Sequence, residues 1–116
     1  MTMSARTPEE RYVEAARRHG QAIEQGDSDA ANAAYDEKDA ALRELRATPD
    51  RGRGVLTALL THEDPGVRKS AATHLLPLDE TAAIAALEEV AKVPGLVGFD
   101  AEMVIREWKA GRLKVP

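Results

Sequence analysis

The feature that most constrains the fold is residues 59–76, where a short polar corner joins two helical patterns. Leu59 and Leu60 end the first pattern on paired apolar side chains. Asp64 is then predicted to cap the next helix with its carboxylate, and Pro65 to occupy the first helical position. The second pattern has its apolar residues at helical spacing: Val67, Ala71, Ala72, Leu75 and Leu76. The stretch therefore predicts two consecutive helices that fold back on each other and bury a shared apolar side.

Similar start and stop signals elsewhere in the chain predict six helices in all. Thr7, Pro8 and Glu10 form the pattern of a capping box with proline at the first helical position. Gly26 follows the last turn of this first helix, where a left-handed cap favours glycine. The other helices are predicted from Asp27 to about Ala47, over about 51–61, from Asp64 to Leu76, from Asp79 to Pro94 and over about 99–110. No segment alternates apolar and polar residues with period two, so the sequence predicts an all-α chain.

Length and composition favour one domain over residues 1–116, with helix pairs at about 8–47, 51–76 and 79–110. A chain of 116 residues hides roughly two thirds of its unfolded surface, which is enough to form a core. Aromatic residues make up only 3% and alanine is abundant. We therefore expect a core of small aliphatic side chains that lets helices approach closely.

The central corner, from Leu59 to Arg68, resembles the helical unit of HEAT and armadillo repeats. The resemblance implies an all-α, right-handed α-α superhelix made of three antiparallel helix pairs. It also implies that Arg68 pairs with an acidic group of an adjoining unit and fixes the register of the repeats. The outer units lack this arginine, as expected for the end caps of a superhelix.

The order of landmarks across nearly the whole chain is similar to that of a small bacterial family with a HEAT-like superhelix and no assigned activity. The shared landmarks are Tyr12, Ala16, Asn32, Asp36, Glu44–Arg46, the central corner, Ala71, Ala72, Leu87 and Trp108–Gly111. Some small helical-repeat proteins of this kind resemble bacterial immunity proteins, which bind and block a toxin. The resemblance therefore implies a protein-binding module without catalytic activity, with a toxin as one class of partner.

Cysteine usage and hydropathy indicate the compartment. The sequence has no cysteine, which excludes disulfides and thiolate metal sites. Its first residues lack an apolar signal core, and no apolar run is long enough to span a membrane. We therefore expect a cytoplasmic protein.

Charge is distributed unevenly along the chain. Residues 1–50 carry seven Lys and Arg against eleven Asp and Glu, whereas residues 51–78 carry four against two. This argues against bulk nucleic-acid binding, which needs many cations on one face. A nucleic-acid-binding module stays open as an alternative, as does a homo-oligomeric structural protein that associates through its terminal units. The cations available to nucleic acid are Arg51, Arg53, Arg68, Lys69, Arg106 and Lys109.

The residues that usually carry chemistry form no recognisable motif. His19, His62 and His74 are far apart in sequence and lack a metal-ligand spacing, so we expect no metal and no cofactor. None of the serines lies in a nucleophile elbow or beside a base. These serines are Ser4, Ser28 and Ser70. The sequence therefore predicts no enzymatic activity.

In a superhelix the second helix of each pair lines the concave side, and its polar positions face a partner there. These predicted partner contacts are Asp36, Glu37, Lys69, Thr73, Glu102 and Arg106. Their mixed charge favours a folded protein partner, since complementary charges determine partner choice. Two other polar residues lie within apolar faces. We expect Asn32 to tie the second helix to the loop after it, and Lys38 to snorkel or pair.

Overall fold

The computed structural model describes residues 6–116 and contains six α-helices and no strand in that range. The helices are α1 (Pro8–Gln25), α2 (Ser28–Arg46), α3 (Pro49–Ala58), α4 (Pro65–Leu75), α5 (Glu80–Ala91) and α6 (Leu96–Lys109). A 3₁₀ turn at Leu59–Thr61 extends α3 into the central corner. The prediction of an all-α chain is therefore confirmed. Between residues 6 and 116, no helix combines the length and the apolar character that crossing a membrane requires.

The helix starts follow the capping chemistry that the sequence predicts. The Glu10 N–H donates to Thr7 Oγ1 at 3.0 Å, and the Thr7 N–H donates to Glu10 Oε1 at 2.8 Å, which closes the capping box. Gly26 ends α1 in the left-handed conformation, with a φ of 69°. Aspartates cap three further helices: Asp27 at α2, Asp64 at α4 and Asp79 at α5. Each of these boundaries depends on one local interaction, which is why the sequence alone predicts it.

Helix α3 begins at Pro49 rather than at residue 51, because this proline occupies the first helical position. Gly52 on this helix is buried against the end of α2. A Cβ at Gly52 would lie 2.8 Å from the carbonyl oxygen of Leu45. The glycine therefore allows α3 to pack directly on α2.

Helix α6 begins at Leu96 rather than at residue 99, although Gly95 before it has no side chain to cap the helix. The carboxylate of Glu24 on α1 takes this role. It accepts from the Leu96 N–H at 2.7 Å and from the Val97 N–H at 3.2 Å. A carboxylate is favourable here because unpaired N–H groups and the positive end of the helix dipole meet at the start of a helix. The cap of α6 is thus supplied by a helix distant in sequence.

Helices α1 and α2 lie antiparallel and are joined by two exposed ion pairs. Arg11 makes two hydrogen bonds to the Glu44 carboxylate, at 2.6 and 2.7 Å. Arg18 makes two to Glu37, at 2.9 and 3.1 Å. Arg18 lies two turns after Arg11 on α1, and its partner Glu37 lies two turns before Glu44 on α2, as antiparallel packing requires. Because the pairs are exposed, they contribute little stability and mainly reinforce the register.

Helix α4 lies at the centre of the molecule. It contacts α1, α3, α5 and α6, and its residues Val67, Ala71 and Leu75 have no exposed surface. Helix α1 also contacts α6, so helices from all three predicted pairs meet around α4. The right-handed superhelix that the repeat resemblance implies stays a prediction.

Two glycines allow α1 and α4 to approach each other closely. A Cβ at Gly20 would lie 3.1 Å from Gly66 Cα, and a Cβ at Gly66 would lie 3.2 Å from Gly20 Cα. Within a helix, glycine is about 1 kcal/mol less favourable than alanine. The close packing offsets this cost, since Tyr12 and Ala16, on the same side of α1 as Gly20, are fully buried.

Replacing Gly66 by alanine should lower the free energy of unfolding by about 1–2 kcal/mol, because the added methyl group crowds the backbone of α1. The matched control is Gly54→Ala on α3, where nothing lies within 4 Å of the added methyl group. We expect this control to keep stability or raise it by up to about 1 kcal/mol, since alanine favours a helix interior. Urea unfolding followed by circular dichroism measures both. Equal effects of the two substitutions would contradict the close contact between α1 and α4.

Candidate functional site

Helices α1, α2, α4 and α6 and the residues after α6 enclose a pocket of about 240 Å³, which we call the lysine pocket. It is lined by His19, Tyr35, Lys38, Lys69, Ser70, Thr73, His74, Asp100, Val104, Leu113, Lys114 and Pro116. Most of these side chains are polar or charged, although the helices around them pack through apolar sides. A few polar groups that converge in a cleft between helices mark this pocket as the candidate site.

Two lysines are buried in the pocket, each with only 5% of its surface exposed. Lys69 forms an ion pair with the Asp100 carboxylate, which joins α4 to α6. Lys38 Nζ lies 5.4 Å from the centroid of the Tyr35 ring, within the range of a cation–π contact. Among residues 6–116, Lys38 has no hydrogen-bond or ion-pair partner. The pocket therefore holds one buried lysine that forms a direct ion pair with a carboxylate and one that, among residues 6–116, forms none.

Burial changes the protonation of this site. It lowers the pKa of Lys38 to about 7, and the nearby charge of Lys69 adds to the shift. Asp100 and Asp39 act in the opposite direction. Burial, together with the charges of the two lysines, also lowers the pKa of His19 to about 4. At neutral pH His19 is therefore uncharged, and Lys38 exchanges between its charged and neutral forms.

A buried hydrogen-bond network ties α1 to α4 beside the two lysines. Tyr12 has no exposed surface, and its hydroxyl lies 2.7 Å from Ser70 Oγ and 2.7 Å from His74 Nδ1. Burial raises the pKa of the Tyr12 hydroxyl. Burial also lowers the pKa of His74 to about 3, and nearby lysine and arginine charges add to this shift. The network is thus uncharged at neutral pH, and one tyrosine hydroxyl satisfies two buried side chains.

Two of the six predicted partner contacts, Lys69 and Thr73, line the pocket. Lys69 is buried rather than exposed, which corrects the expectation that it faces a partner from the surface. The physical reason is its ion pair with Asp100. The Thr73 hydroxyl donates to the carbonyl oxygen of Lys69 at 2.7 Å, so it is also engaged within the protein.

The other four predicted contacts are exposed and lie outside the pocket lining: Asp36, Glu37, Glu102 and Arg106. On α6 the pocket residue Asp100 precedes Glu102 by two positions, which is about 200° around a helix. Glu102 instead accepts from Arg106 at 3.4 Å on its own helix. Glu102 and Arg106 therefore lie on another side of α6, and Glu37 is paired with Arg18 on α1. The role of all four residues as partner contacts stays a prediction.

The sequence also assigns structural roles to Arg68 and Asn32. Arg68 Nη1 donates to the carbonyl oxygens of His62 at 2.8 Å and Glu63 at 3.0 Å, and so stabilises the corner before α4. In the part of the chain that the structure describes, the expected pairing of Arg68 with an acidic group is not formed. Asn32 is exposed, and its side chain makes no hydrogen bond within residues 6–116.

The pocket is lined by polar residues that lie on the apolar, inward-facing sides of the helices. The polar positions on the outward-facing sides do not line it. His19 and Lys38 each fall in such an apolar stripe, and Ser70 and His74 lie one turn apart on the buried side of α4. Tyr35, which also lines the pocket, is 42% exposed. A polar residue within an apolar stripe is therefore the sequence signal that points to this site.

The histidines and serines show what chemistry the site supports. Within residues 6–116, no group of three or more His, Cys, Asp or Glu side chains could hold a metal ion. His62 lies at the central corner, where its Nδ1 accepts from the Asp64 N–H at 3.0 Å. Ser70 belongs to the buried network, Ser28 is exposed, and Ser4 lies outside the described residues. The pocket itself offers a cation and hydrogen-bonding groups, which suit an anion.

Replacing Tyr12 by phenylalanine should lower the free energy of unfolding by about 1–3 kcal/mol, because it leaves two buried polar side chains without their shared partner. Tyr35→Phe is the matched control, since Tyr35 is 42% exposed and its hydroxyl makes no hydrogen bond within residues 6–116. The control should change stability by less than about 0.5 kcal/mol. Urea unfolding of both variants checks this, and a loss for Tyr12→Phe no larger than that of the control would contradict it.

Replacing Lys38 by methionine should stabilise the protein at pH 7 by about 1–3 kcal/mol, because the buried charge is removed. The pKa of Lys38 is lowered from 10.5 to about 7, so between these values the unfolded chain binds a proton that the folded chain does not. The free energy of unfolding of the wild type should therefore rise with pH across this window. Lys38→Met should reduce that rise.

The matched control is Lys109→Met, which removes an exposed lysine of α6. Chemical unfolding at several pH values from 7 to 10 should give this control the same pH dependence as the wild type. A pH dependence that is identical in Lys38→Met and the wild type would contradict the burial of an unbalanced lysine.

No protein-family model matches the sequence, and neither the curated proteins nor the solved structures give a significant match. The likeness of the central corner to HEAT and armadillo repeats therefore stays a resemblance carried by its own residues.

Proposed function

We propose that this chain is a non-catalytic, HEAT-like helical module that binds another protein through the surface around the lysine pocket. The proposal includes the right-handed superhelix of three helix pairs and a cytoplasmic setting. The observation that carries it is the convergence of α2, α4 and α6 on one pocket. These are the three helices on which the sequence predicts partner contacts.

Exposed aromatic side chains on two of the helices that form the pocket, α2 and α6, support a protein partner. The chain has one Trp, two Tyr and one Phe, and two of these four, Tyr35 and Phe99, are 42% and 59% exposed. Tyr35 lines the pocket, and Phe99 directly precedes the pocket residue Asp100. Aromatic residues are enriched in protein interfaces, where a few of them supply most of the binding energy. A polar pocket with one exposed aromatic ring in its lining and another on one of its helices is thus suited to a folded partner.

The class of partner follows from the resemblance to immunity proteins, which favours a bacterial toxin. An immunity protein acts by occupying its toxin, which requires a binding surface and no catalytic group of its own. The polar pocket, with exposed aromatic residues on its helices, supplies such a surface.

The nucleic-acid alternative has less support, because several of its cations are already engaged within the protein. Lys69 is buried against Asp100, and Arg68 is held by two carbonyl groups of the central corner. Arg106 donates to Glu102 on its own helix. The homo-oligomeric alternative is decided by light scattering over a concentration series.

Affinity capture from a lysate of the source organism, followed by mass spectrometry, should identify a protein partner. The dissociation constant of that purified partner is then measured by calorimetry for the wild type and for the double variant Tyr35→Ala/Phe99→Ala. We expect at least a tenfold weakening, because each lost aromatic contact contributes about 1 kcal/mol or more. Thermal stability should change little, since both side chains are exposed.

The matched control is Leu78→Ala, which removes an exposed apolar side chain, 46% accessible, from the corner between α4 and α5. This control should bind like the wild type. Equal weakening by the control and the double variant, or no enriched protein at all, would reject the proposed surface. A triple variant, Asp36→Ala/Glu102→Ala/Arg106→Ala, tests the sequence-predicted contacts in the same assay.

A further inference from the structure

We propose that the lysine pocket binds a carboxylate group, presented by an aspartate or glutamate side chain of the protein partner, through the ammonium group of Lys38. The inference rests on the proposed function and deepens it, because it names the chemical group that the pocket recognises.

The unequal surroundings of the two buried lysines carry the inference. Lys69 already has a carboxylate, that of Asp100, and this pair shows which charge pairing the pocket favours. Lys38 is equally buried, lines the same pocket and has no carboxylate partner among residues 6–116. No fully buried side-chain nitrogen of residues 6–116 lacks a hydrogen-bond partner, so the Nζ of Lys38 keeps contact with solvent at the pocket. An ammonium group with so little hydration is still unfavourable until it is paired. An incoming carboxylate would accept from the Nζ of Lys38 and complete a second lysine–carboxylate pair.

The charge balance of the pocket favours a group with one negative charge. Lys69 and Asp100 form a direct ion pair, whereas Lys38 is buried in the lining without a direct ion pair in the described residues and only feels the charges of Asp39 and Asp100 from farther away. A phosphate with two negative charges would leave excess negative charge beside Asp100. Lysine also lacks the two-pronged geometry with which arginine holds phosphate. A carboxylate matches the single free charge.

The size and the rim of the pocket fit a side chain rather than a free ion alone. The cavity measures about 240 Å³ and opens beside the exposed ring of Tyr35. The ring can pack on the methylene groups of an acidic side chain while its carboxylate reaches Lys38. An acidic residue on a protein surface therefore satisfies both the buried charge and the apolar rim.

Carboxylate binding requires the charged form of Lys38, so it should be strongest below pH 7 and weaken as the pH rises. The other titratable groups around this lysine are His19 on α1, Tyr35 and Asp39 on α2, Lys69 and His74 on α4, Asp100 on α6, and Lys114 and the carboxyl group of Pro116 after α6. Burial and nearby positive charge lower the pKa of His19 to about 4 and that of His74 to about 3, so both stay neutral above pH 5. The change in binding near neutral pH is therefore assigned to Lys38.

The experiment follows the side-chain NMR signals of lysine in the full-length protein at pH 6.5 during titration with sodium acetate at constant ionic strength. Two blocked tripeptides, acetyl-Ala-Glu-Ala-amide and acetyl-Ala-Gln-Ala-amide, are titrated in parallel. We expect saturable shifts of the Lys38 signals with acetate and with the glutamate peptide, but not with the glutamine peptide. Saturating carboxylate should also raise the pKa of Lys38 by about one unit, which corresponds to tenfold stronger binding by the charged form.

Two variants locate the binding. Lys38→Met should abolish the saturable shifts at the remaining pocket signals, including those of His19 and His74, and its thermal unfolding shows that it is folded. Lys109→Met should bind like the wild type. Loss of binding in Lys109→Met, or unchanged binding in folded Lys38→Met, would overturn the assignment to this pocket.

Comparing the ligands shows which chemical group the pocket binds and whether a protein side chain can supply it. Saturation by inorganic phosphate at lower concentration than acetate would overturn the choice of a carboxylate, and saturation by acetate without the glutamate peptide would overturn the protein side chain as its source. Absence of saturation with every carboxylate, while partner capture depends on Tyr35 and Phe99, would reject this inference and leave the proposed function standing. Saturable binding of the glutamate peptide without any captured partner would support the pocket chemistry and count against the proposed function alone.

Discussion

The close contact between α1 and α4 is the constraint on which the rest of the structure depends. Because Gly20 and Gly66 carry no Cβ, the two backbones approach closely, and Tyr12 reaches the interior, where its hydroxyl meets α4. The same position of α1 brings Glu24 to the start of α6, where a glycine provides no cap of its own. One contact between two helices thus positions three of the four helices that enclose the pocket.

This packing also determines the electrostatics of the pocket. The Tyr12 network satisfies its own donors and acceptors, and it is uncharged at neutral pH. Lys69 is balanced by Asp100 across the contact between α4 and α6. Lys38 is the exception, because packing removes most of its hydration while no carboxylate of residues 6–116 forms a direct ion pair with it. The lowered pKa of this lysine is therefore a consequence of how tightly the four helices pack, and not of its position in the sequence alone.

The features that the sequence predicts depend on residues close together in the chain, whereas the features that it misses depend on residues far apart in the chain. The capping box at Thr7 and the cap at Asp64 each involve one helical turn, so local pattern is sufficient. The cap of α6 by Glu24 joins residues distant in sequence, and no spacing rule identifies it. The sequence shows Lys38 as a polar residue among the apolar positions of α2. It does not show that Lys38 lacks an ion-pair partner. That property depends on which side chains α4 and α6 bring beside it.

The fold by itself gives no reason for a lysine at position 38. The other buried residues of α2 are alanines and leucines, Ala34, Ala41, Leu42 and Leu45, and an apolar side chain would continue their stripe without a charge to bury. A residue that lowers the stability of the free protein is expected where function requires it, because natural sequences depart from the best-packed solution mainly at functional sites. An unbalanced buried charge also discriminates between ligands, since a neutral group leaves it unpaired and a cation adds repulsion. The same lysine that opposes folding can therefore select an acidic group.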